Sequence, residues 1–148
     1  MLNFYGKFIP NLPSILEPLN SLLRKDVVWK WEVEQQEAFG KAKTQLQSSD
    51  VLVHYDPEKE LVVSCDASPY GVGAVLSHVM EDGSERPVAY ASCTLSTAER
   101  NYGHLDKEAL AVDFAVKRLH QFLYGRHFKI CTDQKPLLGL LHSEKATP

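Results

Sequence analysis

Apolar positions recur at helical spacing early in the chain and at strand spacing through much of the rest. Over residues 32–46, Phe39, Ala42 and Leu46 repeat at three- and four-residue intervals with charge between them, which predicts an amphipathic helix. Gly40 weakens it slightly. Upstream, Pro10, Pro13 and Pro18 cut the chain into short pieces, with a short helix expected over 15–23. Phe4, Tyr5, Phe8, Leu12, Leu19, Leu22, Leu23, Trp29 and Trp31 are the expected packing residues of this helical leader.

Beyond residue 50 the period changes. A short extended piece is expected over 51–55, a turn over 56–59 and a strand over 61–65. A second strand over 71–79 would place Val72, Ala74, Leu76 and His78 on one face. Residues 80–84 read as a hairpin turn into a third strand over 86–92, where Pro87 is tolerable at a sheet edge. Ser96 or Thr97 would cap a helical turn. A long helix is expected from about Asp106 to about Tyr124, its buried stripe running Glu108, Ala111, Val112, Ala115, Leu119 and Phe122, with Gly125 stopping it. A fourth strand over 127–132 and a short helix over 136–141 complete the reading. Three antiparallel-capable strands, a helix, a strand and a helix make an α/β domain with a mixed sheet. The expected division is a helical segment over 1–56 and an α/β domain over 57–148.

Composition changes this picture little. A chain of 148 residues with ordinary apolar content suits one domain with an appendage. A net charge of −3 gives no overall basic field, though a local basic surface at Lys117, Arg118 and Arg126 stays open. Cys65, Cys93 and Cys131 form no CxxC pair and read as buried free thiols of a reducing compartment. The six histidines lack zinc-ligand spacing. Without a secretory start or a run of membrane-spanning length, the expected location is intracellular, cytoplasmic or nuclear, with no membrane partner.

Three carboxylates stand out. Asp66 ends the run 61–66, Glu108 opens the long helix on its buried face, and Asp133 ends the run 128–133. If the first and fourth strands are neighbours, Asp66 and Asp133 sit side by side, and Glu108 points toward the sheet. Hard divalent cations want such oxygen ligands, and two ions about 4 Å apart can drive phosphodiester hydrolysis. A strand-end aspartate taken alone is more often a turn or cap residue.

Longer segments carry a resemblance. They include Cys65-Asp66-Ala67-Ser68-Pro69-Tyr70-Gly71, Pro87-Val88-Ala89-Tyr90-Ala91-Ser92, Glu99-Arg100-Asn101-Tyr102, Lys107-Glu108-Ala109-Leu110-Ala111 and Thr132-Asp133-Gln134-Lys135-Pro136-Leu137. In this order they resemble the ribonuclease H domain of reverse transcriptases from Ty3/gypsy-type long-terminal-repeat retrotransposons. The earlier residues, among them Asn3-Phe4-Tyr5-Gly6-Lys7-Phe8, Trp31 and Ala38-Phe39, resemble the connection that precedes that domain.

The resemblance implies hydrolysis of the RNA strand of an RNA–DNA hybrid with two Mg²⁺ or Mn²⁺ ions. Asp66, Glu108 and Asp133 would be both metal ligands and catalytic residues, with Asp66 bridging the ions. Ser68, Tyr70, Arg100, Asn101, Tyr102, Gln134 and Lys135 would contact the hybrid, read by shape and 2′-hydroxyls. The family's fourth aspartate, on a last helix, finds no match, and Gln134 and Cys93 replace its usual histidine and arginine. The expected activity of this chain alone is therefore weak or lost, and an open sheet edge is expected to lower its stability. No Tyr-x-Asp-Asp run is present, so no polymerase palm is expected; the polymerase portion of a parent polyprotein is an expected partner. The alternative is a non-catalytic, retroelement-derived module that binds protein or nucleic acid.

Overall fold

The computed structural model describes residue 9, residues 11–48 and residues 51–133. The chain divides into two compact units between Val53 and His54.

The first unit is a pair of helices, α1 (Leu12–Ser21) and α2 (Val33–Leu46). α1 starts three residues earlier than its proline spacing suggests, because Pro13 falls in the first turn, where no backbone N–H is needed. Pro18 lies inside α1, and Ser21 Oγ and Gln35 Nε2 both donate to the Pro18 carbonyl. The Glu32 N–H that precedes α2 donates to Gln35 Oε1 at 3.0 Å. Leu12, Leu16, Ala38 and Ala42 are buried. The expected packing of Leu23, Trp29 and Trp31 is corrected: they are 80%, 66% and 42% exposed, the two indoles stacked on each other at 6.3 Å. Phe4, Tyr5 and Phe8 lie outside the described residues.

The second unit holds a sheet of β1 (Leu61–Ala67), β2 (Gly71–Val79), β3 (Glu85–Thr94) and β4 (Phe128–Cys131), ordered β3-β2-β1-β4. β1 and β3 run antiparallel to β2, and β4 runs parallel to β1. This is the expected mixed sheet. Residues 51–55 do not form a strand. The 80–84 turn closes as expected, with the Met80 N–H donating to the Ser84 carbonyl and Gly83 at φ 80°. Pro87 sits in the edge strand β3, opposite a register shift between Leu76 and Ser77.

Helix α3 (His104–Arg118) begins two residues before Asp106 and ends sooner than the apolar stripe suggests. The stripe continues through Leu119 into a separate short helix, α4 (His120–Leu123), and Gly125 at φ 72° closes it. Ala111, Val112, Ala115, Leu119 and Leu123 pack with Leu61, Val63, Cys65, Val72, Ala74 and Leu76 in one core. Both faces of β2 are buried, with residues 71–78 all enclosed. The helix expected over 136–141 lies outside the described residues.

A polar network pins the 55–60 segment to this core. The Asp56 N–H donates to buried His78 Nε2 at 2.8 Å, which leaves the proton on Nδ1, directed at the Glu60 carbonyl 3.3 Å away. Arg126 donates to Tyr55 Oη and to the Lys59 carbonyl, each at 2.8 Å. Arg126 is therefore a structural clamp and not part of an open basic patch. Replacing Arg126 by Met should cost about 1–3 kcal/mol, readable as a lower urea midpoint at an unchanged slope, because two hydrogen bonds from a charged donor are lost.

Candidate active site

Asp66 is the sixth residue of β1, and its backbone is paired with Gly73 of β2. It therefore lies inside the strand, which runs on to Ala67. On the other side the β1–β4 ladder ends at Ser64 opposite Cys131. The same two-residue step leads from Ser64 to Asp66 and from Cys131 to Asp133. The sheet thus brings the two aspartates to the same level, with Asp133 exposed just beyond the last ladder pair.

Glu108 approaches from α3. Its side chain is 3% exposed, and Oε1 lies 3.8 Å from Nδ1 of the exposed His104, one turn earlier. Oε2 is buried without a hydrogen-bond partner among the described residues. Burial pushes the Glu108 carboxyl above the usual carboxylate range, and the Asp66 charge adds to the push; His104 opposes it and Asp133 reinforces it. Asp66 is also raised, first by burial, with Asp133 adding repulsion and His104 relieving some of it. The Ala67 N–H pulls both carboxyls back down. Asp66 and Glu108 are therefore raised together across β1 and α3, each with Asp133 at the end of β4 adding repulsion. Cys65, on the core side, is pushed up to about 12 by burial and then by Glu108, which makes it an inert thiol. Cys93 and Cys131 are free but exposed, contrary to the expectation of buried thiols.

The donor chemistry fits a hard divalent cation. All three groups are carboxylates, and a cation would relieve both their repulsion and the unpartnered Glu108 oxygen. Among the described residues, no three His, Cys, Asp or Glu side chains converge closely enough to hold a metal ion.

The residues expected to meet nucleic acid fall in two adjoining loops. Ser68 Oγ closes the β1–β2 turn, donating to the Gly71 carbonyl at 2.9 Å and accepting from the Tyr70 and Gly71 N–H groups. Tyr70 is 69% exposed, with the Arg100 guanidinium 5.7 Å above its ring. Arg100 Nε also donates to the Leu95 carbonyl, while the Leu95 N–H donates to the Tyr70 carbonyl, which joins the two loops. Ser96 and Glu99 cap each other around the 3-10 turn Glu99–Asn101. Asn101 Nδ2 donates to the Thr97 carbonyl, and Tyr102 is exposed. Gln134 and Lys135 lie outside the described residues.

A groove of about 230 Å³ beside Asp66 is lined by Ala67, Ser68, Pro69, His104 and Lys107. His104 and Lys107 did not stand out in the sequence. The available signal was spacing: His104 is four residues before Glu108, so it lies on the same helix face.

A family model described as an RNase H-like domain found in reverse transcriptase matches residues 31–130. The Tf2-3 and Tf2-4 transposon polyproteins of Schizosaccharomyces pombe are 41% identical over 145 residues, covering 97% of this chain and 11% of each relative. The chain therefore spans about a tenth of the length of these relatives. Among solved structures, the foamy viral protease-reverse transcriptase in complex with dsDNA superposes with TM-score 0.70 at 24% identity, over 99% of this chain and 32% of that one. Native prototype foamy virus protease-reverse transcriptase gives 0.68 at 20% identity, over 93% and 19%. At these identities the likeness speaks to the fold.

Proposed function

The chain belongs to the RNase H-like domains of reverse transcriptases, in the Ty3/gypsy-type retrotransposon branch, and from that we propose that it hydrolyses the RNA strand of RNA–DNA hybrids within a longer polyprotein. The observation that carries this reading is the repulsion among the Asp66, Glu108 and Asp133 carboxylates with the buried, unpartnered Glu108 oxygen, the three not converging into a metal cage among the described residues. Asp66, Glu108 and Asp133 would hold two Mg²⁺ or Mn²⁺ ions. Bound there, the ions supply an activated water and neutralise charge at the leaving oxygen.

The protein's own groups bind and orient. Asp66 is presented by a strand whose backbone is paired to β2, and Glu108 by a helix packed on the sheet. The Ser68–Tyr70 turn and the Arg100 guanidinium form a positioning surface for the sugar-phosphate backbone. We assign residues 57–148 to the nuclease-like domain and 1–56 to a connection-like segment that meets the polymerase portion of the polyprotein. The protein acts inside the cell, in the cytoplasm or nucleus; among the described residues no helix is long and apolar enough to cross a membrane.

One observation favours a second reading, binding without efficient cleavage. The β1–β4 ladder stops two residues short of Asp133, so the sheet does not itself fix the third carboxylate. A labelled hybrid incubated with the chain and Mg²⁺ or Mn²⁺ separates the two. Metal-dependent RNA-strand cutting supports the nuclease; retention of the hybrid without cutting supports the binding module. Arg100→Ala should weaken hybrid binding roughly three- to tenfold in an anisotropy titration, because a guanidinium and its stacking on Tyr70 are both lost.

A further inference from the structure

The groove beside Asp66 holds a charge that the carboxylates do not use. Ala67, Ser68 and Pro69 form one wall, and His104 and Lys107 of α3 form the other. No carboxylate is among these lining residues, and Lys107 brings a full positive charge. The Ser68 hydroxyl is already occupied in closing its own turn on Gly71. His104 faces Glu108 through Nδ1 at 3.8 Å.

Lys107 is the polar group left over. It is half-buried and makes no hydrogen bond or ion pair with any described residue. The neighbouring acids do not take it up. Asp66 and Glu108 both respond to His104 and Asp133, and Lys107 is not among the charges acting on either. Asp106 is exposed and turns back over the start of α3, its Oδ2 3.1 Å from where a Gly103 side chain would begin. Consecutive helical residues do not face each other, so Asp106 is not a partner by position.

We infer that the Lys107 ammonium holds a backbone phosphate of the RNA strand, the one next to the phosphate to be cut. The inference deepens the nuclease reading and rests on it. Ala67 follows Asp66 directly, so the groove opens one residue from the proposed metal ligands. The next phosphate of the same strand is then the nearest anion. A lysine offers a compact point charge, which suits a contact to the backbone and carries no base preference. Lys107 is a positioning residue: it sets the register of the strand and does not touch the reacting atoms.

Binding, read apart from cutting, tests this on the whole chain. A fluorescein-labelled RNA–DNA hybrid is titrated in Ca²⁺ at several NaCl concentrations, with a gel to show the RNA intact. One phosphate contact contributes about 0.9 to the slope of log affinity against log salt. Lys107→Gln should flatten the slope by that amount and weaken binding roughly three- to tenfold at low salt. Lys107→Arg should keep the natural slope. Lys117→Gln removes a charge already paired with Asp113 and should leave slope and affinity as they were. Thermal melts check that each variant is folded. Hybrids with a single uncharged methylphosphonate linkage, placed on a 2′-deoxy sugar, then locate the phosphate. At a linkage next to the one cut in Mg²⁺, the replacement should weaken binding by the natural protein and have no further effect on Lys107→Gln. An unchanged slope in Lys107→Gln, with the hybrid still bound and cut, overturns this assignment and leaves the nuclease reading standing. Coupling confined to the DNA strand, or found at no linkage, overturns it too. Binding without cutting in Mg²⁺ or Mn²⁺ overturns the nuclease reading, and the assignment falls with it.

Discussion

Asp66→Asn is expected to lower cleavage of an RNA–DNA hybrid by about a thousandfold or more while leaving the melting temperature within a few degrees. The size follows from the role. If Asp66 helps to hold the proposed cations, its loss would remove several kcal/mol of transition-state stabilisation, and about 4 kcal/mol corresponds to roughly a thousandfold in rate. The amide keeps the shape of the carboxylate but removes its charge. The strand is not at risk, because the backbone ladder around position 66 involves no side chain and the residue is only partly buried. Single-turnover cleavage at saturating Mg²⁺ or Mn²⁺, with a thermal melt of the same sample, checks both halves. Undiminished cutting would remove Asp66 from the site.

Glu108→Gln should lower cleavage to a similar extent and should make the metal-free protein more stable by a few degrees, more than Asp66→Asn does, because Glu108 is the more enclosed of the two. The carboxylate is enclosed, one oxygen has no partner, and two aspartate charges repel it. An amide there removes the repulsion and the cost of holding a charge out of water. The pH dependence has a definite sign. The folded-state value is raised, so the folded protein holds this proton more tightly than the unfolded chain does. The resulting stability is fully present below the ordinary glutamate value and is lost as pH rises through the folded-state value. In chelator, the gap between Glu108→Gln and the natural protein should therefore open as pH rises from the acid range to neutrality. Saturating divalent cation should close or reverse it, since binding to the folded state alone stabilises it. A gap that ignored both pH and metal would mean Glu108 is not part of a shared charge cluster.

Much of this architecture was legible in the order of residues, for reasons that differ by element. β2 matches its expected bounds because turns flank it on both sides and apolar residues fill it. The carboxylates stood out because apolar runs lead up to Asp66 and Asp133 and an apolar stripe begins at Glu108, although Asp66 lies inside β1 and not at its end. What escaped was whatever depends on distant partners. The break at Leu119 was hidden because the apolar stripe passes straight through it; Leu119 leaves helical geometry while staying in the core. Residues 51–55 look extended, yet Tyr55 is used instead for packing against His78 and Phe122. Arg126 read as a surface cation because its acceptors, Tyr55 and the Lys59 carbonyl, lie far back in the chain. The tryptophans looked like core residues, since sequence gives apolar character but not the presence of a covering surface.

The parallel pairing of β4 with β1 also sets an order of events in time. β1, β2 and β3 are joined by short turns and can zip locally. β4 reaches β1 only after the chain has closed a loop around β2, β3 and α3, a pairing that is slow because its entropy is lost before its contacts form. Asp66 and Glu108 belong to the early part and Asp133 to the late one. In the proposed site, a chain that had not yet paired β4 with β1 would carry Asp66 and Glu108 without Asp133, so cutting of nucleic acid would wait on that pairing.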